Sequence, residues 1–163
     1  MQRVDGYTDS DYAGCSSKRT STSGGVIMMG GTVIKSWSKQ QKVIALSSGE
    51  AELYAAVKLG CELIGIKSLA QDFGIAVELH MYLDAKATIG MLSRRGAGNM
   101  KHVATNQFWL QHAVAEKRVH LHKVHTDINV ADILTKYLAG DKILSLSNLL
   151  GITRMRKSFM HRQ

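Results

Sequence analysis

Four of the thirteen acidic side chains in this 163-residue sequence, Asp9, Glu52, Asp84 and Asp132, are placed where a fold can bring them to one point. Carboxylates are the ligands that hard divalent cations take, and a pair of Mg²⁺ ions about 4 Å apart needs several of them converging. The chemistry such a pair supports is phosphodiester hydrolysis: water is activated for in-line attack on phosphorus, the leaving oxygen is stabilised, and no protein nucleophile is needed. Two of the four have competitors. Glu50 lies two residues from Glu52, about 200° around a helix, so the two face nearly opposite sides. Glu50 also stands three residues after Ser47, the capping-box spacing, which leaves Glu52 to project towards a site. Asp11 shares the face of Asp9 by two-residue alternation, but Asp9 is nearer the apolar run, and Asp11 stays in reserve. Spacing alone does not separate these four from ordinary solvated surface charges.

The elements that would position them follow from periodicity and punctuation. Val4–Thr8 reads as a strand ending at Asp9, and Gly25–Met29 and Thr32–Trp37 read as strands joined by Gly30-Gly31, a hairpin signal. From Ser47, apolar residues at Leu53, Ala56, Val57, Leu63, Ile64, Leu69 and Phe73 predict a long buried helix that stops at Gly74. Leu79–Leu83 is a further strand ending at Asp84, followed by a short helix over Ala85–Ser93 and a Gly-rich basic loop to Lys101. Val103–Lys117 reads as helix, Val119–Val124 as strand and Val130–Leu138 as helix again. This order predicts an α/β fold on a five-stranded mixed sheet, three antiparallel strands and then two parallel ones added by right-handed crossovers, flanked by helices. Ligand sites in such sheets gather at C-terminal strand ends, where Asp9 and Asp84 fall.

A net charge of +8 favours a polyanionic partner, and half of it lies in Ala139–Gln163, which carries five basic residues and one acid. That stretch reads equally as a solvated terminal helix and as a nucleic-acid contact. With 45% apolar and 21% charged residues the chain is a folded single unit, not a disordered one. No run approaches the roughly 18 apolar residues that span a bilayer, and Met1–Asp5 offers no apolar signal core. Cys15 and Cys61 have no partner at metal-ligand spacing, so a reduced, intracellular chain without a membrane contact is expected. His120 and His122 share a strand face; a half-exposed face is the preferred reading over a His-x-His zinc pair. Trp37 and Trp109 read as core rather than as base-stacking platforms.

The sequence resembles the RNase H domain at the C-terminal end of Ty1/copia-type retrotransposon Pol polyproteins. The matching stretches are Gly6-Tyr-Thr-Asp-Ser-Asp-Tyr-Ala-Gly14, Arg19-Thr-Ser-Thr-Ser-Gly24, Ser36-Trp-Ser-Lys-Gln-Gln-Lys42, Ala45-Leu-Ser-Ser-Gly-Glu-Ala-Glu-Leu-Tyr-Ala-Ala56, Leu83-Asp-Ala-Lys-Ala87, Lys101-His102 and Ala131-Asp-Ile-Leu-Thr-Lys136. They occur in the family's order and cover Val4 to Leu138. The resemblance implies an RNase H-like fold and an endoribonuclease that cleaves the RNA strand of RNA–DNA hybrids during reverse transcription. It further implies two Mg²⁺ ions, for which Mn²⁺ can substitute, on Asp9, Glu52, Asp84 and Asp132. The order of these acids opposes a transposase or integrase of related fold, whose glutamate comes last.

Residues 1–138 are then the catalytic domain and 139–163 a basic C-terminal extension. Hybrid contacts are expected from Ser10, Ser48 and Gly49, able to read 2′-hydroxyls, and from Lys18, Arg19, Lys39, Lys42, Arg94, Arg95 and Lys101. Many RNases H carry a loop histidine before the last aspartate; His125, seven residues before Asp132 in a shorter loop, is the auxiliary candidate. Tyr137 stands where the family commonly has proline. The implied partner besides the hybrid is a reverse transcriptase domain in the polyprotein, the domain itself acting as a monomer, in a cytoplasmic virus-like particle or the nucleus. The alternative is a degenerate or domesticated domain that binds nucleic acid without cleaving it.

Overall fold

The computed structural model describes residues 1–15, 17, 19–96 and 108–152. Five strands, β1 (Gln2–Asp11), β2 (Thr22–Met29), β3 (Thr32–Gln40), β4 (Val77–Leu83) and β5 (His120–Lys123), form one sheet in the order β3-β2-β1-β4-β5. β1 pairs antiparallel with β2, and β2 with β3; β1–β4 and β4–β5 are parallel. The mixed five-stranded sheet is therefore the one its sequence predicts. The β2–β3 turn is Gly30-Gly31, both with positive φ (57° and 79°), the left-handed pair a tight hairpin needs.

β1 runs further than its apolar residues suggest. Its last three residues pair as Asp9 with Gly24, Ser10 with Ser23 and Asp11 with Thr22, so the backbone ladder carries a polar stretch into strand geometry. Asp9 thus sits within the strand rather than just beyond it.

Helix α1 (Ser48–Asp72) spans 25 residues and lies across one face of the sheet. The Ser47 hydroxyl accepts from the Glu50 backbone N–H at 3.2 Å, and Glu50 Oε2 accepts from the Leu46 N–H at 2.8 Å, one residue earlier than an ideal capping box. α1 packs Leu53, Ala56, Leu59 and Leu63 with Val4, Ile27, Leu79, Met81 and Leu83 of the strands. β4 alternates strictly, Val77, Leu79, Met81 and Leu83 inward, Glu78, His80 and Tyr82 less buried. Gly6 lets the helix approach: a Cβ there would fall 2.8 Å from Leu59 Cδ1. α2 (Lys86–Leu92) and α3 (Trp109–Ala115) close this core with Leu92, Leu110 and Ala113. The helix expected over Val103–Lys117 is described only from its Trp109 end; 103–107 lie outside the described residues.

The segment after β5 corrects the sequence reading. Instead of a helix over Val130–Leu138 there are two 3-10 turns, Thr126–Ile128 and Val130–Leu134. Asn129 makes the break: its extended backbone (φ −75°, ψ 101°) ends the first turn, and its Oδ1 accepts the Ala131 N–H that opens the second. These turns cover the other face of the sheet, where Val26, Met28 and Val130 form a small cluster with Tyr7, Val33, Leu134 and Leu150. Helix α4 (Gly140–Leu149) buries Leu146 completely, and Lys142 donates to the Asp127 carbonyl at 2.6 Å, so the start of the basic extension is folded onto this face. Cys61 is a free thiol, and no helix among the described residues is long and apolar enough to cross a membrane.

Candidate functional site

The site lies where the two faces meet at the end of β1. From the α1 face comes Glu52, in the first turns of a helix whose start Ser47 caps. Its Oε1 accepts from both the Ser10 backbone N–H and the Ser10 hydroxyl, each at 3.1 Å, which fixes the carboxylate against the strand. Asp9 comes from β1 and Asp84 from the residue after β4. One carboxylate oxygen from each of Asp9, Glu52 and Asp84 lies within 4.8 Å of the others. Asp9 and Glu52 are buried, 1% and 9% exposed, which makes the crowding of charge costly. Burial first, and then the charges of Asp9 and Asp84, push the Glu52 carboxyl from its ordinary 4.5 up to about 8, against the hydrogen bonds from Ser10.

Asp132 arrives from the opposite face on the second 3-10 turn. Three contacts seat that turn. Asn129 Nδ2 donates to the Thr8 carbonyl at 3.1 Å, and the Ser38 hydroxyl donates to the Leu134 carbonyl at 2.6 Å. Gly24 supplies the clearance, because a Cβ there would fall 2.7 Å from Thr135 Cγ2 and 2.9 Å from Leu134 Cβ. The turn then closes on Asp132: the N–H groups of Thr135 and Lys136 both donate to its carbonyl, which brings their side chains back over β1. Lys136 Nζ donates to Asp9 Oδ1 at 2.9 Å and to Asp132 Oδ1 at 3.1 Å, and the Thr135 hydroxyl donates to Asp9 Oδ2. Burial and then Asp9 raise the Asp132 carboxyl, with Lys136 opposing. Burial pulls the Lys136 ammonium down, but its hydrogen bond to Asp9 and the charges of Asp9 and Asp132 more than offset this and raise it above the ordinary lysine range.

Among the described residues, Asp9, Glu52 and Asp84 are the one group of three or more potential ligands close enough to share an ion. Hard oxygen donors alone, gathered within 4.8 Å of one another, fit a divalent cation. Asp132 is linked to this set by the Lys136 ammonium, which also bonds Asp9.

No protein-family model matches the chain. It is 34% identical over 150 residues to the retrovirus-related Pol polyprotein from transposon TNT 1-94 of Nicotiana tabacum, and 30% identical over 155 residues to that from transposon RE1 of Arabidopsis thaliana. These alignments take in 90% and 93% of this chain, which spans 11% of the length of each relative. Among solved structures it resembles the N-terminal RNase H domain of a Mycobacterium tuberculosis protein, with a TM-score of 0.57 at 15% identity, covering 91% of this chain and 98% of that one. It also resembles LC11-RNase H1 in complex with RNA/DNA hybrid, with a TM-score of 0.56 at 16% identity, covering 81% of this chain and 93% of that one. The chain is an RNase H fold homologous to Ty1/copia-type retrotransposon Pol polyproteins.

Within this RNase H fold the other expected site residues are distributed unevenly. Ser10, expected to face substrate, is buried and spends its hydroxyl on Glu52. Ser48 is exposed and Gly49 half-buried at the start of α1, while Lys39, Lys42, Arg19, Arg94 and Arg95 are exposed. Lys18 and Lys101 lie outside the described residues. His125 caps the first 3-10 turn, its Nδ1 accepting from the Asp127 N–H at 3.2 Å, and it lines a groove with Tyr7, Tyr82 and Leu149 on the face that the turns cover. Glu50 is taken up by the Leu46 N–H and the Tyr54 hydroxyl. His120 and His122 of β5 both stack with His80 of β4, and His80 Nδ1 and His122 Nε2 share a 2.8 Å hydrogen bond. Trp37 packs onto the α1 core over Gly25, and Trp109 packs there too.

Sequence reasoning passed over Thr135, Lys136 and Asn129. A signal for Lys136 exists, since it follows Asp132 by four residues, the ion-pair spacing of a helical turn. Nothing local to Asn129 announces its bond to Thr8, 121 residues away.

Proposed function

We propose that this chain is a divalent-metal-dependent ribonuclease that hydrolyses the RNA strand of RNA–DNA hybrids. The observation that carries this reading is the convergence of Asp9, Glu52 and Asp84, with Asp132 tied to Asp9, at the end of the central strands. The plant relatives are Pol polyproteins, and a structural neighbour was solved on an RNA/DNA hybrid, which supports the substrate class. Asp9, Glu52, Asp84 and Asp132 would hold Mg²⁺ or Mn²⁺, two ions in all. Bound there, such ions supply an activated water and neutralise charge on the leaving 3′ oxygen. Asp9, which lies in the trio and is bridged to Asp132 by Lys136, would serve both halves of that set. Ser10 holds the Glu52 carboxylate in place, and Asn129 delivers Asp132. Ser48, Gly49 and the exposed basic residues Arg19, Lys39, Lys42, Arg94 and Arg95 would meet the hybrid, with Lys18 and Lys101 in the same role.

Catalysis is assigned to residues 1–138. The extension that follows begins as α4, which packs against the Asp132 turn, and the basic residues of the extension as a whole can assist binding. The partner domain would be a reverse transcriptase in the same polyprotein, the RNase H unit acting as a monomer wherever reverse transcription proceeds, in a cytoplasmic particle or the nucleus.

The test is incubation with labelled RNA–DNA hybrid, duplex DNA and single-stranded RNA, with Mg²⁺ or EDTA, comparing wild type with Asp9→Asn. Cleavage of the hybrid's RNA strand alone, abolished by EDTA and reduced about 1,000-fold or more by Asp9→Asn, is the expected result. Hybrid binding without cleavage under either Mg²⁺ or Mn²⁺ would instead establish the alternative, a domain that binds nucleic acid and no longer cuts it.

A further inference from the structure

The four acids do not form one uniform cluster. Asp9, Glu52 and Asp84 face one another with no basic side chain bonded between them among the described residues, whereas the Asp9–Asp132 side is already bridged by the Lys136 ammonium. We infer that Lys136 is a tethered counter-cation that holds the second cation position of the site and weakens metal binding there until substrate draws it away. This rests on the metal-dependent reading above.

Three features of Lys136 support the inference. The first is need: Asp9 and Asp132 have side chains 1% and 4% exposed, and two such carboxylates side by side require a positive partner. The second is exclusivity. A divalent ion on Asp9 and Asp132 would sit within a few ångströms of Nζ, where like charges repel strongly, so ammonium and metal cannot share the pair. The third is freedom to leave. The Lys136 side chain is 33% exposed, and its ammonium is a compact, well-hydrated charge on a flexible four-carbon stem. Thr135 remains on Asp9 Oδ2 when the lysine moves, so Asp9 keeps its orientation.

The consequence is an order of loading. The Asp9–Glu52–Asp84 trio takes a cation first. The Asp9–Asp132 pair takes the second once a substrate phosphate draws Lys136 away, its ammonium then meeting the negative phosphate rather than the carboxylates. Without substrate, Lys136 keeps the second position weak, and one ion is held tightly.

The experiment is Mn²⁺ binding, counted by electron paramagnetic resonance on the folded chain without nucleic acid, for wild type, Lys136→Met, Lys136→Arg and Asp9→Asn, with thermal melting of each in EDTA and in saturating Mn²⁺. Wild type and Lys136→Arg are expected to bind one ion tightly and a second weakly. Lys136→Met should tighten the second at least about tenfold. It should also melt below wild type in EDTA, and the gap should close in Mn²⁺, which a merely structural lysine would not produce. If Lys136→Met folds only when Mn²⁺ is added, and then with two ions, the inference stands; failure to fold even in saturating Mn²⁺ overturns it. Unchanged or weaker binding by Lys136→Met, in a protein whose wild type binds Mn²⁺ and whose Asp9→Asn does not, overturns this inference alone. A wild type that binds no Mn²⁺ overturns the metal reading and this inference with it.

Discussion

The two faces of the sheet reach the same site by different means. On one, a 25-residue helix is clamped by a continuous apolar core, and Glu52 is placed by the burial of Leu53, Leu59 and Leu63 around it. On the other, Asp132 rides on a five-residue 3-10 turn over a small apolar cluster, and its position depends on directional bonds from Asn129, Ser38 and Lys136. Burial is non-directional and tolerates local change, so the helical half of the site should be robust in geometry while dominating stability. Hydrogen bonds are directional and individually modest, so the turn half should be fragile in geometry while contributing less to stability.

That contrast breaks or holds on a graded set of measurements. The largest stability loss is expected for Leu59→Ala, about 3 kcal/mol in urea denaturation, because the side chain is fully buried against Gly6 and cannot be replaced by collapse of a packed strand. Its cleavage rate per folded molecule should stay near wild type. Asn129→Ala should cost less stability, about 2 kcal/mol, yet lower the cleavage rate of the folded fraction more than Leu59→Ala does. The reverse ranking of rates would show that the turn is not what positions Asp132.

A third measurement concerns pH. Glu52 holds its proton in the folded chain up to about 8, while the unfolded chain releases it near 4.5. Between these values the unfolded state binds fewer protons, so stability of the metal-free protein should fall as pH rises through that window. Glu52→Gln should remove the slope, seen by melting in EDTA across the range; a slope that survives the substitution would assign it elsewhere. The smallest effect is expected for Ser10→Ala, below about 1 kcal/mol. Because Ser10 opposes the rise in the Glu52 pKa, the same melting series should show the window extending to higher pH in that variant.

How much of this was legible in the sequence differs between the faces in the same way. Helix α1 announced itself through Ser47, the apolar spacing of Leu53 to Leu63 and the stop at Gly74, and rotation about its axis was enough to separate Glu52 from Glu50. The Asp132 turn reads as a helix in the sequence, because Val130-Ala-Asp-Ile-Leu has helical composition and the decisive bonds run from Asn129 and Lys136 to β1, more than 120 residues away. Ser10 was placed towards substrate for a related reason. A serine beside an aspartate reads as a surface polar residue until the helix that covers it is in position.

By itself the sequence determined the five strands, the long helix from Ser47 and the hairpin at Gly30-Gly31, since these follow from periodicity and turn chemistry, both local properties. Only the tertiary structure decided that the four acids fall into a trio and, sharing Asp9 with it, a lysine-bridged pair. That division depends on charges from β1, α1, β4 and the 3-10 turn being desolvated together, and the energy of a buried charge is set by its neighbours in space rather than along the chain.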